Sequence, residues 1–99
     1  IKMFAVITYD IPSDPSGKKR YNKIHKLCEK SGFWVNNSVF EFDTDYTTFL
    51  KLKHNIEKII DVNQDSVRIY IIGKDRTDKN TLILGKEAII ESDQHTIII

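Results

Sequence analysis

Two rhythms of apolar and polar positions run along this 99-residue chain, one with the period of a strand and one with the period of a helix. The run Met3-Phe4-Ala5-Val6-Ile7-Thr8 reads as a strand closing on Tyr9-Asp10, and Ile11-Pro12 behind it breaks a regular ladder. Ser13 to Gly17 is rich in turn and cap residues. From Lys18 to about Ser31 the spacing predicts a helix, with Tyr21, Ile24, Leu27 and Cys28 on its apolar face and Gly32 as its stop. Phe33 to Phe42 is β-prone again. Asn36-Asn37-Ser38 in its middle predicts either a hairpin of two short strands or one bent strand. Asp43-Thr44-Asp45 offers N-caps for a second helix through Ile60. Its apolar arc holds Tyr46, Phe49, Leu50, Ile56 and Ile60, and snorkelling would accommodate Lys53 within it. Asp61 to Asp65 is polar, and Ser66 to Ile72 is a strand ending at Gly73.

Strand, helix, two short strands, helix, strand is the order of an α+β, ferredoxin-like βαββαβ sandwich with both helices on one face of an antiparallel sheet. Residues 1–73 form that core. Residues 74–99 form a tail with a charged stretch at Lys74 to Lys79, an apolar run from Thr81 to Gly85 and a β-prone close, Thr96-Ile97-Ile98-Ile99. The first strand is apolar on both faces, as is the last strand of the core, while the helices cover only one face. A second copy packed sheet against sheet is the simplest cover, so a homodimer is expected, with tail strands adding to their own sheet or to the partner's edge.

Composition narrows the class. At 40% hydrophobic and 29% charged residues, this is one ordinary globular domain rather than a disordered chain. The single cysteine, Cys28, excludes an internal disulfide and a thiolate zinc site, and fits a reducing cytoplasm. No segment approaches 18 apolar residues and no basic-then-apolar leader is present, so no membrane association is expected; the start at Ile1 reads as trimmed.

A net charge of +1 says little about partners, but its distribution says more. Lys18, Lys19, Arg20, Lys23, Lys26 and Lys30 crowd one segment that holds only Glu29 as an acid. On a helix, Lys19, Lys23, Lys26 and Lys30 fall within roughly 60° of one another. Such a stripe is either a solvated surface or a track for a phosphate backbone. Asp10, a carboxylate at a strand's carboxyl end, is either a turn former or a meeting place for a metal or a phosphate. His25, His54 and His95 lack metal-ligand spacing, and no glycine-rich phosphate loop exists. Ser38 and Asn37 sit where they could reach a phosphate; Phe40 reads as core or dimer packing; Tyr9 and Trp34 read as packing residues or base-stacking platforms. The residues leave three classes open: a nucleic-acid scaffold, a toxin-like ribonuclease and a small-molecule-sensing regulatory dimer.

Four motifs in order narrow that choice: Tyr9-Asp10-Ile11; Lys18-Lys19-Arg20; Gly32, Val35, Ser38, Val39, Phe40 and Glu41 in the pattern Gly-x-x-Val-x-x-Ser-Val-Phe-Glu; and Asp65 to Tyr70, Asp-Ser-Val-Arg-Ile-Tyr. With them the chain resembles the small dimeric CRISPR-associated adaptation proteins of the Cas-two family over nearly its whole length. The run Ile83 to Glu87 and the closing isoleucines look most like the subgroup accompanying type I-C systems. The resemblance implies a ferredoxin-like dimer whose C-terminal strands cross to the partner. It also implies a role in spacer acquisition, bridging two dimers of the CRISPR integrase (Cas-one) and supporting a double-stranded DNA duplex. Some members are metal-dependent endonucleases on RNA or double-stranded DNA. In those, the residue matching Asp10 approaches its mate across the dimer and holds Mg²⁺ or Mn²⁺, with Tyr9, Ser38 and Phe40 as candidate helpers here. Trp34 stands where many members carry an arginine, a departure that bears on cleavage and not on scaffolding.

Overall fold

The computed structural model describes residues 2–74 and the backbone of residues 96–98. Their elements are β1 (Lys2–Asp10), α1 (Pro15–Ser31), β2 (Phe33–Asn36), β3 (Val39–Asp45), α2 (Tyr46–Ile59), β4 (Ser66–Gly73) and β5 (Thr96–Ile98). The sheet runs β2-β3-β1-β4-β5, with every neighbouring pair antiparallel. Removing β5 leaves the ferredoxin-like order, in which α1 and α2 each cross over one intervening strand. The apolar run Thr81 to Gly85, the stretch Ile83 to Glu87, His95 and Ile99 lie outside the described residues.

Alternation along β1 divides its side chains between two clusters. Met3, Ala5, Ile7 and Tyr9 join Ile24 and Cys28 of α1, Phe49, Leu52 and Ile56 of α2, and Phe40 and Phe42 of β3 in the main core. Phe4 and Val6 point the other way and pack with Ile72, Val39 and Tyr70. This is the face on which a second copy is expected to pack, and within one chain Phe4 is 0% exposed, Ile72 4% and Val6 7%. Ile98, Ile97 and Thr96 of β5 lie opposite Arg68, Ile69 and Tyr70 of β4.

Local chemistry moves several boundaries. α1 begins three residues before Lys18, because the Asp14 carboxylate accepts from the Gly17 amide at 2.7 Å and Pro15 occupies the first turn. Gly17 is buried so close to the Pro12 carbonyl that a Cβ there would run into it. Gly32 does end α1, but in extended backbone (φ −131°) rather than the left-handed form, so its lack of a side chain serves a different purpose. A Cβ at that position would strike the ring of Phe42. Asn37, with φ 44°, turns the chain between β2 and β3 into a hairpin, and β3 continues through Asp43 and Thr44 before Asp45 caps α2. On α2 the buried positions are Phe49, Leu52 and Ile56, while Tyr46 and Leu50 are exposed at the edge of the stripe. Lys53 reaches outward to Glu57 at 3.3 Å.

Candidate nucleic-acid and metal site

Asp10 ends β1 opposite Ser66 of β4, and alternation turns it away from Tyr9 onto the face without helices. There it is exposed and makes no ion pair or side-chain hydrogen bond among the described residues. It borders a cleft of about 330 Å³ lined by Thr8, Tyr9, Asp10, Ser66, Arg68 and Tyr70. The register places Thr8 opposite Arg68, so Asp10 and Arg68 are diagonal neighbours on one face. Such positions are roughly 7–8 Å apart, within reach of a long side chain. Arg68 is exposed and has no acidic partner among the described residues.

The candidate helpers do not converge on Asp10. Tyr9 is buried on the helix side, where its hydroxyl and His25 Nδ1 are 2.8 Å apart. Burial raises the Tyr9 pKa well above the ordinary phenol range, with Tyr21 adding to the effect, so the hydroxyl stays protonated. Phe40 is 0% exposed and packs in the core, 5.0 Å from the His25 ring and 6.4 Å from Tyr9, centroid to centroid. Ser38 accepts the Tyr9 amide through its carbonyl at 3.1 Å, and its hydroxyl sits 3.4 Å from that of Tyr21. These contacts hold the hairpin against β1 and α1. Trp34, 59% exposed, donates its indole N–H to the Asn37 carbonyl at 2.9 Å and meets His25 edge-on. His25 and Asp14 are engaged by Tyr9 and by the helix cap.

The basic segment divides in two. Lys18, Lys19, Lys23, Lys26 and Lys30 are exposed, with no acidic partner among the described residues. Lys19, Lys23, Lys26 and Lys30 lie roughly 150° around α1 from the buried Ile24 and Cys28. Arg20 is engaged elsewhere. Its Nε and Nη2 donate to Asp65 at 2.7 and 2.9 Å, and its Nη1 donates to Ser16 at 2.7 Å. Asp65, whose side chain is fully buried, also accepts the Asp61 amide at 2.8 Å. The Arg20 hydrogen bond holds its carboxyl below the ordinary 3.8. Arg20 is therefore a clamp between α1 and the start of β4, and a sequence count of basic residues cannot separate it from the stripe.

Lysine stripe and cleft lie on opposite sides of the sheet, with a helix layer of about 10 Å between them. Ser66, Arg68 and Tyr70 escaped the sequence reading as site residues because β4 read as apolar on both faces. The signal was present in the alternation Ser-x-Arg-x-Tyr.

In donor type the site fits Mg²⁺ or Mn²⁺, since the Asp10 carboxylate is an oxygen ligand open to solvent. In donor number one chain falls short: no group of three or more His, Cys, Asp or Glu positioned for a metal occurs among the described residues. No helix among those residues is long and apolar enough to cross a membrane.

A ferredoxin-like domain with an open carboxylate at a strand end and an unpaired lysine row on its first helix is the class that these features define. The chain belongs to the CRISPR-associated Cas2 family, since the family model described as CRISPR associated protein Cas2 matches residues 3–80. It is 40% identical over 88 residues to the CRISPR-associated endonuclease Cas2 of Halalkalibacterium halodurans, covering 88% of this chain and 92% of that protein. To the CRISPR-associated endoribonuclease Cas2 of Pyrococcus furiosus it is 37% identical over 89 residues, covering 90% and 98%. The crystal structure of Streptococcus pyogenes Cas2 at pH 6.5 superposes with a TM-score of 0.71 at 38% identity, covering 84% of this chain and all of that one.

Proposed function

We propose that the protein is a DNA-binding scaffold of spacer acquisition, working in the cytoplasm as a homodimer that bridges two integrase (Cas-one) dimers. The observation that carries this reading is the row of exposed, unpaired lysines on α1. Lys18, Lys19, Lys23, Lys26 and Lys30 would follow a duplex backbone with strong salt dependence and little sequence preference. Two rows from two protomers would grip a duplex better than one. Residues 1–73 are the DNA-handling core in this reading, and the tail stabilises the dimer. β5 would either stay on its own β4 or exchange with the partner in the same register, conserving every pairing. The finer likeness to type I-C proteins rests on Ile83 to Glu87 and the closing isoleucines.

A second reading is favoured by the printed names of the relatives, endonuclease and endoribonuclease. In it Asp10 of each protomer holds a shared Mg²⁺ or Mn²⁺, which would relieve the repulsion between the two carboxylates. When bound, the cation would polarise a phosphodiester and activate water for its hydrolysis on RNA or double-stranded DNA. Each Asp10 would supply one charged oxygen ligand, and Tyr9, Ser38 and Phe40 would act by packing alone.

Integration of a labelled duplex into a repeat-containing plasmid, with the cognate integrase, separates the two readings. Asp10→Asn is expected to support integration as well as the wild type does. Joint replacement of Lys19, Lys23 and Lys26 by Gln, which removes both protomers' contacts from the dimer, is expected to abolish it and to flatten the salt dependence of duplex binding by about 5 units of log K per log salt. Integration that fails with Asp10→Asn and survives the triple replacement would refute the scaffold reading.

A further inference from the structure

Trp34 is the single tryptophan of the chain, and neither the lysine row nor the Asp10 cleft accounts for its exposure. We propose that its indole is a stacking platform for one unpaired nucleobase of a strand whose phosphates follow the lysines of α1. The proposal rests on the nucleic-acid reading above and adds a second kind of contact, to a base rather than to a phosphate.

Placement is the first reason. Trp34 lies opposite Phe40 in the ladder of β2 and β3, and Phe40 packs in the core beneath the helices. The pleat therefore sets the indole on the helix side of the sheet, away from the face that a second copy would cover. β2 is an outer strand of the sheet. There the ring stays 59% exposed, although tryptophan is among the side chains most buried on average.

The ring is exposed without being free. Its indole N–H donates to the Asn37 carbonyl at 2.9 Å, and the His25 ring meets it edge-on at a centroid distance of 6.2 Å. His25 is itself held 2.8 Å from the Tyr9 hydroxyl and stacks on Tyr21 with their planes 13° apart. A ring tied at its polar edge and braced by a second ring is oriented before anything binds. Stacking on it then costs little rotamer freedom.

The surroundings select the class of ligand. A protein hot spot gathers near-neutral neighbours that keep water out. Trp34 instead has the exposed amides Asn36 and Asn37 beside it in the chain, while alternation turns Phe33 to the other face. On α1, exposed Asn22, Lys26 and Glu29 surround His25. Lys26 lies about 100° round the helix from His25, an arc of about 10 Å on its surface. At about 3.4 Å per nucleotide of a stacked strand, about three nucleotides span that arc from the lysine row. A base inside a duplex is covered on both faces, so only an unpaired one offers a face to the indole. Every base has such a face, so the contact is tolerant of sequence.

A short oligo(dA) strand and an abasic strand of equal length carry the same phosphates and differ only in their bases. Titrated into the full chain, oligo(dA) is expected to quench the Trp34 fluorescence saturably, and the abasic strand to leave it unchanged. By anisotropy of end-labelled strands, oligo(dA) is expected to bind about tenfold more tightly than the abasic strand. Trp34→Leu, which keeps an apolar side chain and loses the π face, should abolish that advantage; Trp34→Phe should keep part of it. Replacing Lys19, Lys23 and Lys26 by Gln should weaken both strands by the same factor. Circular dichroism confirms the fold of each variant, and the wild-type quenching needs no substitution. Oligo(dA) binding that leaves the fluorescence unchanged, or an advantage that survives in Trp34→Leu, would overturn the proposal. So would a Trp34 spectrum that shifts with protein concentration alone, which would assign the ring to a contact between copies. Duplex anisotropy on the same samples separates the failures. If duplex binds and strands leave Trp34 silent, only the stacking proposal falls; if neither binds, the nucleic-acid reading falls with it.

Discussion

Gly32→Ala isolates why the family motif begins with glycine at this position. If the residue were there to let the helix end in a left-handed turn, any side chain would strain the backbone, and asparagine would be tolerated better than alanine. The backbone is instead extended, at φ −131° and ψ 177°, which every residue adopts freely. The constraint is steric: an added Cβ collides with the Phe42 ring, approaching Cδ2 and Cζ to 2.8 Å. Phe42 is 0% exposed and touches Phe40 in the core, so its ring has nowhere to swing. Overpacking of this kind costs about 1–3 kcal/mol. Loss of glycine's freedom in the unfolded chain returns about 0.4–1 kcal/mol. The net is a destabilisation of about 1–2 kcal/mol, which for a domain of this size lowers the melting temperature by roughly 5–15 °C. Urea and thermal unfolding followed by circular dichroism, at one fixed protomer concentration, measure it. Adding Phe42→Leu should recover part of the loss, with a coupling of about 1 kcal/mol in the double-mutant cycle. Additive single effects, or Gly32→Asn more stable than Gly32→Ala, would refute the steric account.

Two other outcomes follow from buried groups. Because Asp65 is held below its ordinary 3.8 by Arg20, that pair adds stability above the unfolded carboxyl pKa and loses it as pH falls through the lower folded value. The stability gap between wild type and Arg20→Ala should therefore be widest near neutral pH and narrow below pH 3.8; a gap independent of pH in urea titrations would contradict it. Burial pushes the Cys28 thiol up to about 12, so the folded chain should react with Ellman's reagent at pH 8 only as fast as it opens. Rapid labelling without denaturant would show that the thiol is accessible.

The order of elements was legible in the sequence because each carries its own periodicity and punctuation. Ile24 and Cys28 at helical spacing, the alternation of Met3, Ala5 and Ile7, and the Asn37 turn each needed only local chemistry. Asp10 was legible too, as a polar residue ending an apolar run. What each polar side chain does with its neighbours was not. Arg20 and Lys19 are adjacent letters in one basic run, yet one clamps a buried carboxylate 45 positions away and the other faces solvent. Tyr9 and Asp10 read as one motif, and the pleat sends them to opposite faces of the sheet. Arg68 meets Thr8 and Asp10 only because β4 pairs with β1 in a particular antiparallel register. Local periodicity determines which elements form and which faces they bury. Pairing between residues distant in the chain decides which charges are neutralised within the fold and which remain free to meet a ligand.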